Sequence, residues 1–276
     1  MMQKEVLNLE EASELLGVST KTLLKILREE EVPARKIGRE WRFSRQALLQ
    51  WLASGNSLAY TTAAEQGVKE YFDQVAPSYH ETRVQQYSKD FCDLVFAQVP
   101  LAPEMVVADI GCGTGYLTKA LAERVEKVTG VDASTEMLAI AHREMAQANL
   151  TNVELVNAEA AHLPFPAGSF DLVFASLLLH HISDPVEVLT EFHRVLKTNG
   201  QVVIIDVNEH QHHWVKTEKH DLWLGFSPAE LAEWLQEAGF REVHVQDLGC
   251  DCYTTNSQGR AAQIKMLIAT GRKPAA

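Results

Sequence analysis

Apolar positions near the start of the chain recur at Leu9, Ala12, Leu15 and Leu16, the spacing of a helix with one buried side. Gly17 follows, suited to the left-handed residue that ends a helix, and Ser19 can cap a second helix over roughly Thr20 to Glu30. Leu23, Leu24, Ile26 and Leu27 form the buried side of that helix. VPARKIGREWRFS then alternates as a hairpin would, with Gly38-Arg39 near its tip. Ser44 caps a third helix carrying Leu48, Leu49 and Trp51, and Trp41 and Trp51 are expected in the core. Helix, short glycine turn, helix is the outline of a helix-turn-helix. Residues 54–66, SGNSLAYTTAAEQ, are small and polar without sustained periodicity, and are expected to link a domain at 1–53 to one at 67–276.

The pattern then changes. Val106–Ile110 is a buried strand, followed by Gly111-Cys112-Gly113-Thr114-Gly115 and a helix from Tyr116. KVTGVD, FDLVFASLLL, GQVVIID and VHVQDLG supply further strands. Strands alternating with helices point to an α/β architecture with a mostly parallel sheet covered on both faces. In residues 206–228, His210, Trp214, Thr217 and Asp221 share one helical face, beside a stripe of His213, Thr217 and His220. A helix inserted over the site is expected there, as a substrate lid.

Charge separates the two parts. Residues 1–53 hold nine Lys/Arg against eight Asp/Glu; the remainder holds 16 against 29, so the net charge of −12 belongs to the larger part. That argues against a protein that coats nucleic acid nonspecifically. Four cysteines are too few and too scattered for a disulfide framework, which makes a reducing cytoplasm the expected setting. No metal is expected, because Cys250-Asp251-Cys252 lacks a standard zinc spacing. With nearby histidines that loop could hold a soft metal or metalloid, but unremarkable thiols are the favoured reading.

A bare backbone between a strand and a helix N-terminus brings N–H groups close to a ligand. The glycine spacing is G-x-G-x-G rather than G-x-G-x-x-G, and Asp109 precedes it. A carboxylate there suits the ammonium of a methionine moiety better than a pyrophosphate. Asp132 ends the next strand, where a carboxylate suits a pair of ribose hydroxyls.

These residues resemble the class I S-adenosylmethionine-dependent methyltransferases over about residues 68–271. DIGCGTG, with Gly111, Gly113 and Gly115, is similar to the family's first motif, and GVDAS, with Asp132 and Ala133, to its second. AEAAHLPFPAGSFDLVFASLLLHHISDP resembles the branch that includes ubiquinone and menaquinone methyltransferases. The resemblance implies a Rossmann-like α/β fold with a seven-stranded sheet and an antiparallel strand within IKMLIATGRK. It places Glu159 on the adenine amino group and Tyr79, in the lid stretch YFDQVAPSYHETR, near the methionine end. His180 and His181 would meet the substrate, as hydrogen-bond partners or as a base. Elements like H-x-x-x-W and D-x-W-L-G-F occur in methyltransferase domains fused to ArsR-type regulators.

The first domain resembles the excisionase-type, MerR-like winged helix-turn-helix, which implies DNA contacts. Ser19, Thr20, Lys21, Thr22 and Lys25 would face the major groove, and Arg35, Lys36, Arg39 and Arg42 in the wing would touch phosphate or the minor groove. The expected protein is a homodimeric methyltransferase acting on a small-molecule acceptor, with operator DNA as a second partner. The alternative is a regulator that uses the methyltransferase fold as a ligand sensor without turnover. No N/D-P-P-Y/F motif is present, which argues against DNA as the methyl acceptor.

Overall fold

The computed structural model describes residues 4–29, 32–38, 40–54, 57–86 and 91–275. The chain divides into two compact units, Met1–Tyr60 and Thr61–Ala276.

The first unit contains β1 (Val6–Leu7), α1 (Leu9–Leu16), α2 (Thr20–Glu29), β2 (Ala34–Ile37), β3 (Glu40–Ser44) and α3 (Arg45–Ser54). Asn8 and Glu11 form a reciprocal capping box at the start of α1, and Gly17 ends it with φ 69°. Ser19 caps α2 by accepting the Thr22 N–H at 3.0 Å. The strands pair in the order β1-β3-β2, and Leu7, Ala12, Leu23, Phe43 and Leu48 close a small core. Trp41 packs against that core from its edge.

Residues 57–66, expected as part of an aperiodic linker, are helical instead. They open α4 (Ser57–Gln86), which crosses the boundary between the units. Leu58, Ala59, Ala63, Ala64 and Glu65 are good helix formers, and intrinsic propensity outweighs the missing amphipathic pattern.

The second unit continues with α5 (Phe91–Gln98), β4 (Val106–Ile110), α6 (Tyr116–Ala122), β5 (Lys127–Asp132), α7 (Thr135–Gln147), β6 (Val153–Asn157) and β7 (Phe170–Ser176). A 3-10 turn at Leu179–His181 follows, then α8 (Pro185–Val195), β8 (Leu196–Val207), α9 (Trp214–Glu218), α10 (Pro228–Glu237), β9 (Arg241–Thr255) and β10 (Ala261–Arg272). The seven strands run in the order β6-β5-β4-β7-β8-β10-β9. β4 to β8 pair in parallel, and β10 lies antiparallel between β8 and β9. Successive strand residues serve opposite faces: Val107, Phe174 and Ile205 join one core, while Ala108, Val173 and Ile204 join the other. Both faces are covered, as a parallel sheet requires. The order reverses at β4, whose neighbours are β5 and β7, so a crevice opens beyond its C-terminal end.

Two local expectations change. The helix expected to carry His210, Trp214, Thr217 and Asp221 on one face is only the five residues of α9. His220 adopts a left-handed backbone (φ 57°) that ends helical continuity before Asp221. Cys250 and Cys252 lie within β9 rather than in a loop after it, and the period of two puts both on one face of the strand.

Candidate functional site

The glycine loop is shaped by backbone conformation. Gly111, Gly113 and Gly115 all have positive φ (71°, 55° and 82°), a region costly for any residue with a Cβ. Space adds a second constraint at Gly111, where a Cβ would sit 2.9 Å from Leu178 Cδ1. Gly115 then starts α6.

Asp132, at the C-terminal end of β5, accepts the Gly113 N–H at 2.8 Å and the Ser134 N–H at 2.9 Å. Burial nevertheless pushes its carboxyl up to about 6. Glu159 follows β6 and adds to that field; burial raises its own carboxyl, with Glu65 contributing. Ala133 continues from β5 toward the Ser134 cap of α7, and Tyr79 Cε1 lies 3.9 Å from where a Gly113 Cβ would stand. The loop, Asp132 and Glu159 gather beyond the C-terminal ends of β4, β5 and β6. Asp109 differs: it is buried, and its Oδ2 accepts the Thr118 hydroxyl at 2.6 Å. It braces the loop from below.

Three consecutive residues of α4 reach over this edge. Asp73 accepts the Ser134 hydroxyl at 2.6 Å. Phe72 meets the His181 ring edge-on at 4.9 Å, and Tyr71 stacks on His220 at 5.0 Å. Tyr71 and Phe72 open the stretch YFDQVAPSYHETR that the resemblance marks as a lid, although only Tyr79 was singled out within it.

A cavity of about 190 Å³ lies on the other side of Tyr79, which lines it and also approaches Gly113. Its walls include Tyr71, Phe72, Tyr79, His180, His181, His210, Asp221 and Cys252. His180 and His181, both buried, sit in the turn after β7, brought there by Leu177 in a left-handed conformation (φ 52°). His180 Nδ1 donates to Asp206 Oδ1 at 2.6 Å. Asp206, at the end of β8, is fully buried and also accepts the Val207 N–H at 2.7 Å. His181 Nδ1 lies 3.3 Å from the His220 carbonyl and 3.9 Å from Asp221 Oδ1.

Residues 221–226 form a strap across the turn. The N–H groups of Leu222 and Trp223 donate to the His180 carbonyl at 2.8 and 3.1 Å, and the Trp223 indole donates to the Ile182 carbonyl at 2.7 Å. The strap carries Asp221 into the cavity, where burial pushes its carboxyl up to about 6. Of the expected lid residues, then, His210 and Asp221 reach the cavity. Trp214 packs against the core and Thr217 is exposed, bonded to the Trp214 carbonyl. Donor atoms of His180, His181 and Asp221 lie within 4.8 Å of one another, close enough for a cation, although methyl transfer requires none. Cys252 is buried at the wall, and Cys250 is partly buried against the core.

In the first unit Ser19, Thr20, Lys21, Thr22, Arg35 and Lys36 are exposed. Arg42 is ion-paired with Glu40, and the Lys36 ammonium lies 5.9 Å over the Trp41 ring. Arg39 and the side chain of Lys25 lie outside the described residues.

Residues 108–204 match the family model of a methyltransferase domain, and residues 6–56 that of a helix-turn-helix domain. The demethylmenaquinone methyltransferase of Listeria monocytogenes serotype 4a (strain HCC23) is 30% identical over 238 residues, covering 73% of this chain and 95% of that protein. The cyclase SpnF shares the fold with TM-score 0.63 at 20% identity, over 77% of this chain and 97% of that one. A phosphoethanolamine N-methyltransferase of Haemonchus contortus, solved with S-adenosyl-L-methionine, aligns with TM-score 0.56 at 18% identity over 67% of this chain and 52% of that one. The fold alone therefore hosts different reactions. The relative covered almost end to end is what fixes kinship: this chain belongs to the S-adenosylmethionine-dependent methyltransferase family that includes demethylmenaquinone methyltransferase, and it carries a helix-turn-helix domain ahead of the catalytic one.

Proposed function

We propose that the chain transfers a methyl group from S-adenosylmethionine to a small-molecule acceptor, and that its first domain binds operator DNA as a homodimer, linking the enzyme to transcription. The observation that carries the first part is the meeting of two sites at one sheet edge. The glycine loop, Asp132 and Glu159 bring acidic and backbone groups together beyond the strand ends, and Tyr79, beside Gly113, also lines the histidine-bearing cavity. Asp132 would hold the ribose hydroxyls, Glu159 the adenine amino group, and Tyr79 with the loop glycines the methionine end. The bound cofactor supplies an activated methyl group on a sulfonium. The chain's part is to align the acceptor, exclude water and receive a proton where the acceptor has one to lose. His180 and His181 are the groups placed for that proton.

The DNA reading rests on the capped α2 with its exposed polar start and on the basic wing. A second reading, a sensor that binds S-adenosylmethionine without turnover, is favoured by the helix-turn-helix domain itself. One experiment separates them. Calorimetric titration of S-adenosylmethionine into wild type and Asp132→Ala should show binding lost in the variant. Mass spectrometry should then detect S-adenosylhomocysteine with one class of acceptor. Binding without product from any acceptor would favour the sensor, and no binding would refute both.

A further inference from the structure

Three donor groups from two chain segments converge in the cavity wall. Donor atoms of His180, His181 and Asp221 lie within 4.8 Å of one another. Two metal–ligand bonds of about 2.0–2.2 Å span at most about 4.4 Å, so an inward shift of about half an ångström completes the set. Two imidazoles and a carboxylate are the ligand chemistry of divalent transition metals; magnesium and calcium take oxygen ligands.

The surroundings hold these groups in place. The Leu222 and Trp223 N–H groups donate to the His180 carbonyl at 2.8 and 3.1 Å, which pins the strap, and Asp221 with it, beside the histidine turn. The His180 and His181 ring centroids are 4.1 Å apart. Asp206 holds His180 through Nδ1 at 2.6 Å. A carboxylate behind a histidine is the usual support of a metal-binding imidazole, fixing its orientation and raising its basicity. Asp206 is fully buried, and its Oδ2 has no hydrogen-bond partner among the described residues. Asp221 is buried too, so two carboxylates flank the pair of histidines, while Lys219, partly exposed, brings one positive charge to the same wall. Buried carboxylates need pairing, and a cation held by His180, His181 and Asp221 supplies it.

His210 has a different part. Its Nδ1 accepts the His212 N–H at 3.2 Å, so the hydrogen of the neutral ring is on Nε2. That nitrogen is buried in the lining of the cavity without a hydrogen-bond partner among the described residues. It is a donor rather than a fourth metal ligand, and it calls for an acceptor atom on whatever the cavity holds.

We propose that His180, His181 and Asp221 bind one divalent transition-metal ion of the zinc, cobalt or iron(II) class, with an open position facing the cavity for an anionic ligand. Three protein ligands leave such a position open. Asp206 is the positioning residue behind His180. The two histidines make contacts of their own in the metal-free fold, and the ion displaces them. A ring bonded to the ion cannot accept a proton, so the metal-loaded site and the proton-accepting site are alternative states of one cavity.

The test uses the full chain, purified without a histidine tag and stripped with a chelator. In a calorimetric titration, zinc should bind at one ion per chain. Asp221→Asn, His181→Ala and Asp206→Asn should each weaken it at least about tenfold. His212→Ala with His213→Ala should leave it within about twofold. Cobalt(II) bound in place of zinc should give visible bands without a sulfur charge-transfer band, because Cys252 shares the wall but not the ligand set. Azide, a small anion, should shift those bands. No stoichiometric zinc, unchanged affinity in Asp221→Asn, binding lost with His212 and His213 instead, a sulfur band, or a cobalt spectrum indifferent to azide would each overturn the proposal. S-adenosylhomocysteine binding, measured without metal in every variant, shows which variants keep their fold; one that does not is dropped, and the others decide together with the wild-type cobalt spectra. Loss of that binding in metal-free wild type would strike the methyltransferase reading and leave the metal site standing.

Discussion

Asp132 accepts two backbone N–H bonds and still has its carboxyl pushed up to about 6 by burial. Its acceptor capacity is therefore full above that pH and lost as pH falls through it. S-adenosylmethionine affinity should be level from about pH 7 upward and weaken by up to tenfold per unit below about pH 6. Calorimetry across that range checks this, and a flat profile would remove Asp132 from the binding site. Gly111 makes a sterically sharper case. Gly111→Ala would force a Cβ to 2.9 Å from Leu178 Cδ1 at φ 71°, and should cost about 1–3 kcal/mol of stability in a urea titration. At this scale the sequence was most informative where chemistry is local. A glycine run between strand and helix and an acidic strand end are visible in one dimension. Asp206 was not, because its meaning depends on a histidine 26 positions away, supplied by the neighbouring strand. Tyr71 and Phe72 lay in the lid stretch that the resemblance marked, but their partners, His220 and His181, come from the fold and were not legible.

At the scale of elements, the strap at residues 221–226 is where the sequence misled. His210, Trp214, Thr217 and Asp221 have helical spacing, yet α9 spans only five residues and the two ends reach the cavity by separate routes. Periodicity cannot see the left-handed backbone at His220, or Gly225 pressed against the Asn208 carbonyl. Gly225→Ala would push the strap off β8 at that point and withdraw Asp221. Acceptor affinity should fall more than tenfold while S-adenosylhomocysteine affinity stays within about twofold, read by paired calorimetric titrations. Equal losses in both would mean that the strap supports the whole fold rather than the cavity. The opening of α4 was misread for a related reason: SLAYTTAAEQ has propensity without an apolar face, and only the first of these determines its structure.

For the whole molecule, the mostly parallel sheet was legible from strands alternating with helices, and the antiparallel strand within IKMLIATGRK came from the family resemblance; the strand order was not read from the sequence. The separation of charge was equally plain, and it has a measurable consequence. If the first domain binds DNA, the contacts come from a small basic surface on an otherwise acidic protein, so affinity should fall steeply with salt. On a duplex selected by the wild-type protein, Arg35→Ala with Lys36→Ala should weaken binding and lower the salt slope by about 1–2. An unchanged slope would clear the wing of phosphate contact. The triplet Tyr71-Phe72-Asp73 reaches further, since it touches His220, His181 and the Ser134 cap of α7 from one turn of one helix. In kinetic language the two ligands share a clock. Whatever displacement of α4 frees one frees the other, so turnover with chemically dissimilar acceptors should converge on a common ceiling, set by the rate at which that helix lets go.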